Sequence, residues 1–110
     1  MFALDHVAIE ASDIAASVRF YKDSFGACVL YQDESWAFLQ LGQGKLALVK
    51  PGQHPPHVAL RVELADLEAA AKKAATTINT HRDGTRGIYL SDPQGNTIEL
   101  IWYPPTSAAS

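Results

Sequence analysis

Apolar and polar positions alternate in short runs along this chain, and two stretches break into a helical rhythm. Val7-Ala8-Ile9 follows His6, and the same His-Val-Ala-aliphatic string returns as His57-Val58-Ala59-Leu60. Each string gives way to an acidic helix-start signal, Ser12-Asp13-Ile14 in one half and Ala65-Asp66-Leu67 in the other. Ser12 or Asp13, and Asp66, are the expected N-caps, because their side chains accept the unpaired amides of a first helical turn. Ile14, Val18, Tyr21 and Phe25 then recur on one helical face, as do Leu67, Ala70, Ala71 and Ala74. Gly26 is placed to close the first helix in the left-handed conformation.

Three strand-like runs are predicted after each helix. They are Ala27 to Gln32, Trp36 to Leu41 and Lys45 to Val49 in the first half, and about Thr77 to His81, Ile88 to Ser91 and Thr97 to Tyr103 in the second. Gly42-Gln43-Gly44 and Asp92-Pro93-Gln94-Gly95-Asn96 supply turn chemistry. The segment Lys50-Pro51-Gly52-Gln53-His54-Pro55-Pro56 reads as a linker. The expected class is therefore α+β, with two βαβββ modules whose curved, mostly antiparallel sheets enclose a cleft. The modules span about residues 3–50 and 56–103, with 50–56 between them, and together form a single domain. A module of some fifty residues buries too little apolar surface to stand alone.

Composition changes this picture little. The chain has 110 residues, 47% of them hydrophobic, and a formal net charge of −3. Its nine Lys and Arg are scattered, which leaves no footprint for nucleic acid. No apolar run approaches a membrane span. A single cysteine, Cys28, excludes an intrachain disulfide and fits a cytoplasmic protein; it is expected to be buried within a strand.

The candidate chemistry sits on the repeat. Side chains alternate across a strand, so His6 shares a face with Ala8 and Glu10, His57 with Ala59 and Arg61, and Glu99 with Ile101 and Tyr103. Glu99 lies inside the apolar run Ile98-Glu99-Leu100-Ile101-Trp102. A carboxylate there needs an ionic partner. A divalent metal shared by His6, His57 and Glu99 would provide one, and Mn²⁺, Fe²⁺, Zn²⁺ and Ni²⁺ all suit such a set. The plainer alternatives are two core histidines satisfied by backbone, and Glu99 paired with Arg61. Lys45-Leu46-Ala47-Leu48 aligns with Thr97-Ile98-Glu99-Leu100, so Ala47 fills the slot equivalent to Glu99 and the site has three protein ligands. Glu10, Tyr89 and Tyr103 are candidate catalytic groups; Trp36 and Arg61 are candidate substrate contacts. His54 is expected to be exposed, and His81-Arg82-Asp83-Gly84-Thr85-Arg86 to form a polar loop.

The strings Leu4-Asp5-His6-Val7-Ala8-Ile9, Val18-Arg19-Phe20-Tyr21 with Phe25-Gly26, and Asp92-Pro93-Gln94-Gly95-Asn96 before Ile98-Glu99-Leu100 resemble the vicinal-oxygen-chelate superfamily. This group includes glyoxalase I, fosfomycin-resistance thiol transferases, extradiol dioxygenases and bleomycin-resistance proteins. The resemblance runs from Leu4 to Tyr103. It implies metal ligands at His6, His57 and Glu99, a small substrate with vicinal oxygens, and a homodimer. Glyoxalase I has a fourth ligand where this chain has Ala47. Fosfomycin-resistance enzymes share the triad, and Tyr89 matches a tyrosine of their site, but they carry threonine where this chain has Ala8. The alternative function is metal-free sequestration of a small molecule, as in bleomycin-resistance proteins.

Overall fold

The computed structural model describes residues 2–105. The chain is α+β, with eight strands and two helices in the order expected. They run β1 (Ala3–Glu10), α1 (Ile14–Phe25), β2 (Cys28–Gln32), β3 (Trp36–Leu41), β4 (Gly44–Val49), β5 (His57–Arg61), α2 (Leu64–Lys73), β6 (Asn79–Thr80), β7 (Arg86–Ser91) and β8 (Thr97–Trp102). Two compact units divide the chain, Leu4–Val58 and residues 59–105 with 2–3. No helix among the described residues is long and apolar enough to cross a membrane.

The first unit is built on the hydrogen-bonded order β2-β3-β4-β1. β1 pairs with β4 in parallel, whereas β3 pairs antiparallel with both β2 and β4. Register divides its side chains cleanly. Leu48 lies opposite Ile9 on one side and Ala37 on the other, and these join Ile14, Val18, Ala27 and Leu39 in the core under α1. The opposite face carries His6, Ala8, Lys45, Ala47, Trp36 and Phe38. A bulge after Val29 shifts the β2 register so that Tyr31 stands opposite Phe38, on that same face.

α1 begins where expected: the Asp13 carboxylate accepts the Ala16 amide at 3.0 Å. Its buried stripe is narrower than the periodicity implies. Ile14 and Val18 are buried, but Phe25 is 62% exposed and leans edge-on to Phe20 at the surface. Cys28, expected inside, is exposed, because it opens a strand that lies at the outer end of its unit's order with no buried position.

The second unit repeats the plan. Its order is β5-β8-β7-β6, so strands one to four of each module stand in the same relation, 1-4-3-2. Leu67, Ala71, Ile88 and Leu100 form its core with Val62, and Leu60, Leu64, Leu90, Ile98 and Trp102 pack around them. α2 starts a turn earlier than Asp66 suggests. Leu64 extends the apolar stripe back from Leu67, which leaves Asp66 inside the first turn and Glu63 as an N-cap without a side-chain bond. β6 is shorter than predicted. Thr76 is consumed in closing α2, its amide bonding the Ala71 carbonyl, and His81 already begins the following turn.

Both helices end in a left-handed residue, but only the first uses glycine. Gly26 has φ 72°, and Ala75 has φ 53°. Nothing lies within 4 Å of a Cβ placed at Gly26. The cost of Gly26→Ala is therefore conformational alone, about 1–2 kcal/mol. Ala75→Gly is expected to stabilise by up to about 1 kcal/mol, with equilibrium urea unfolding as the measurement for both.

Two surface turns are each organised by one carboxylate. Asp33 accepts from Tyr31, Ser35 and Trp36; Asp92 accepts from the side chain and amide of Asn96 and from the Gln94 amide. These bonds, Tyr31 first for Asp33 and the Asn96 side chain first for Asp92, hold both carboxyls below their ordinary range. A depressed native pKa gives stability that is full above the unfolded value, about 3.9, and is lost as pH falls through the native one. The thermal midpoint is expected to fall as pH drops below about 4. Asp92→Ala should lower the midpoint at pH 6 and make that acid decline shallower, as calorimetry would show.

Candidate metal centre

In the first unit, two buried histidines face each other edge to face with ring centroids 5.5 Å apart. Their Nδ1 atoms are each committed. His6 Nδ1 is 2.7 Å from Asp5 Oδ2, and His57 Nδ1 is 2.9 Å from the Pro55 carbonyl. A carbonyl only accepts, so His57 Nδ1 carries the hydrogen. Asp5 is buried too, and Lys45 Nζ stands 3.7 Å from its other oxygen, which favours the carboxylate and makes it an acceptor from His6. Both neutral rings thereby keep a lone pair on Nε2. An imidazole whose far nitrogen donates to a carboxylate or backbone carbonyl is the arrangement found behind metal-bound histidines.

An aromatic wall adjoins the pair. Phe38 meets the His6 ring edge-on at 5.3 Å, Trp36 lies 6.0 Å from Phe38, and Tyr31 stacks on Trp36 at 4.7 Å. Trp36, a candidate substrate contact, is 38% exposed at one end of this wall. Lys45 Nζ lies 5.7 Å from the Phe38 centroid, a cation held over a ring face. Glu10 stands at the end of β1, exposed to solvent.

In the second unit, Glu99 is 5% exposed, in the middle of β8. Tyr89 lies directly opposite it on β7. Burial, then the Glu99 charge and its hydrogen bond, push the Tyr89 phenol up to about 12, so the hydroxyl stays protonated and donates to the carboxylate. Beside them, a Cβ placed on Gly87 would sit 2.7 Å from the Leu100 carbonyl, 3.5 Å from Glu99 Oε2 and 3.6 Å from His81 Cε1. Glycine is what lets β7 approach β8 here. Arg61 is exposed, and its guanidinium lies 4.6 Å from the centre of the Tyr103 ring.

Several of these groups escape sequence reasoning. Asp5 and His6 are adjacent in a strand, and alternation sends neighbours to opposite faces, so their bond is invisible to parity. Pro55 reads as linker, although its carbonyl fixes the His57 ring. Phe38 lies within the predicted strand Trp36 to Leu41, with nothing in the sequence to single it out. His81 reads only as part of a polar loop, and for Gly87 an isolated glycine beside a strand is the one available sign of a close approach.

Gly87→Ala is expected to cost about 1–3 kcal/mol, because backbone rather than a flexible side chain must move. Chemical denaturation measures the loss, and an unchanged midpoint would show that β7 has room to yield.

A family model described as the Glyoxalase/Bleomycin resistance protein/Dioxygenase superfamily matches residues 3–100. Metallothiol transferase FosB of Staphylococcus epidermidis is 30% identical, over 88% of this chain and 81% of that protein. The protein of the same name from Staphylococcus saprophyticus is 29% identical, over 89% and 75%. Among solved structures, methylmalonyl-CoA epimerase from Mycobacterium tuberculosis superposes with a TM-score of 0.75 at 20% identity, covering 98% of this chain and 92% of its own. A superfamily member from Vibrio splendidus gives 0.71 at 15%, covering 94% and 100%. The repeated βαβββ plan, the histidine opening each module and the sequence match agree: this chain belongs to the glyoxalase, bleomycin-resistance and dioxygenase superfamily.

Proposed function

We propose that this protein is a metal-dependent enzyme that transfers a thiol to a small electrophile bearing adjacent oxygens, with one divalent ion held by His6, His57 and Glu99. The observation that carries the metal reading is the pair of buried histidines whose Nδ1 atoms are both held, by a carboxylate and a backbone carbonyl, as those of metal-bound imidazoles commonly are. Further support is that His6, His57 and Glu99 are each buried and each offer a ligand atom of the kind a divalent ion takes. Neutral imidazoles and a carboxylate are the donor set that first-row divalent ions prefer, and three protein ligands leave positions for substrate oxygens. The bound ion would polarise those oxygens and stabilise negative charge as it develops.

Each side chain has a task in this reading. Asp5 and the Pro55 carbonyl fix the ring orientation of the two histidines, and Tyr89 orients the Glu99 carboxylate by donating to it. The Tyr31, Trp36 and Phe38 wall with Lys45 offers an apolar surface edged by one positive charge, which suits a compact, anionic substrate. Thiol transfer is favoured among the superfamily's reactions because the curated relatives of nearly matching length are named metallothiol transferases. Ala47, in the slot equivalent to Glu99, argues against a four-ligand glyoxalase site. Exposed Val29 and Leu30 on β2 give a second copy an apolar strand to cover, and the reading includes a homodimer in a reducing cytoplasm.

Elemental analysis of untagged protein tests the centre. The expected result is about one divalent transition ion per chain, lost in Glu99→Gln and in His57→Ala while their folded circular dichroism is retained. Asp5→Asn is expected to weaken manganese binding by about 10–100-fold, read by calorimetry. A folded wild type that takes up none of Mn²⁺, Fe²⁺, Ni²⁺ or Zn²⁺ would sink the enzyme reading and leave metal-free sequestration in its place.

A further inference from the structure

The turn joining β6 to β7 holds a third histidine whose surroundings are as ordered as those of the first two. The His81 amide bonds the Thr85 carbonyl at 2.7 Å, and Gly84, at φ 89°, bonds back to the His81 carbonyl. Within this turn the Thr85 hydroxyl donates to Asp83 Oδ1 at 2.7 Å, and the Thr85 amide reaches the same oxygen at 3.0 Å. Thr85 Oγ1 is also 2.9 Å from His81 Nδ1.

One hydroxyl hydrogen cannot serve two bonds. The hydrogen bond from Thr85 holds the Asp83 carboxyl below its ordinary range, so the aspartate is an acceptor and takes that hydrogen. Thr85 Oγ1 then has only lone pairs to offer the imidazole, and His81 Nδ1 must carry the donor hydrogen. The neutral ring is left with a bare Nε2. Thr85 is 5% exposed and His81 half-buried, while Asp83, at the outer end of the chain of bonds, is exposed.

The ring's position gives this tautomer a use. His81 Cε1, the carbon between the two nitrogens, and Glu99 Oε2 lie 3.6 and 3.5 Å from one point above Gly87. The His81 ring edge and the proposed ligand carboxylate therefore both border the bare backbone at Gly87.

We propose that His81 is the proton-transfer residue of this site, with Thr85 and Asp83 as its positioning residues. The proposal rests on the thiol-transfer reading above. In the step, Nε2 takes the S–H proton of the bound thiol as sulfur attacks an electrophilic carbon. The sulfur–carbon bond forms, a carbon–oxygen bond of the acceptor breaks, and its electron pair stays on oxygen. Nε2–H then returns the proton to that oxygen, so the ring finishes as it began. This is the dual role for which a neutral imidazole of fixed tautomer is suited.

Two measurements test it on the full-length protein. Nitrogen-15 NMR of the imidazoles is expected to show His81 protonated at Nδ1 in the wild type, and a mixture of tautomers in Thr85→Val; a wild type protonated at Nε2 would overturn the proposal without any assay. With manganese-loaded enzyme, cysteine as thiol and fosfomycin as acceptor, His81→Ala is expected to lower kcat by about 10²–10⁴-fold. Its manganese affinity should be unchanged, and added imidazole should restore part of the rate. Asp83→Asn should fall between His81→Ala and wild type. If His81→Ala keeps full activity while Glu99→Gln has none, the proposal fails and the thiol-transfer reading stands. If His81→Ala instead loses manganese, the residue is a ligand and the proposal is wrong. A wild type that binds manganese but couples cysteine to neither fosfomycin nor a simple epoxide removes the thiol-transfer reading, and the proton step with it.

Discussion

A carboxylate buried in an apolar strand is the constraint on which the second module is organised. Glu99 cannot be left unpartnered at 5% exposure, since an isolated ion there would neutralise or destabilise the fold. The neighbouring strand answers in two ways. Tyr89 donates a hydroxyl from the position directly opposite, and Gly87 withdraws its side chain so that the carboxylate has space. The hydroxyl also fixes the orientation of the carboxylate, which the proposed metal centre would require of a ligand.

The duplication makes this legible as a divergence between halves. Both modules order their strands alike, and the third and fourth strands of each present an opposed pair at the same place. In the second the pair is Tyr89 with Glu99; in the first it is Phe38 with Ala47. The carboxylate and the hydroxyl that would support it are absent together. A carboxylate beside Phe38 would have no donor opposite, and a tyrosine facing Ala47 would have no acceptor there. Either half of the change alone is unfavourable, so the pair belongs to one another energetically. The first module spends that position instead on an apolar surface continuous with Trp36 and Tyr31.

Much of the fold was readable because the repeat doubled every signal. Strand alternation placed His6 and Glu99 on faces that the register shows to be opposite to the helix-packed cores. Reading failed where tertiary packing outweighed local chemistry. Leu64 drew α2 back past its apparent Asp66 cap, and Phe25 continued a helical stripe beyond the surface that could bury it. Cys28 looked internal because its neighbours are apolar, yet its strand lies at the outer end of its unit's order. The supporting shell was the least visible part. Its members act through a backbone carbonyl at Pro55, an adjacent-residue bond at Asp5 and a missing side chain at Gly87, none of which leaves a periodic trace.

The histidines show how one rule serves several roles. His6, His57 and His81 each have Nδ1 held, by a carboxylate, a carbonyl and a hydroxyl respectively. The holding group fixes the tautomer, and it also sets how far the ring's basicity can be raised. Asp5 brings a buried charge that strengthens His6 as a donor to a cation. Pro55 brings only a dipole. At His81 the charge of Asp83 is relayed through a hydroxyl, so it is one atom further from the ring. The hydroxyl still fixes which nitrogen carries the hydrogen, which a group proposed to take and return a proton needs. The same commitment of Nδ1 thus recurs at all three rings, through three chemically different holders.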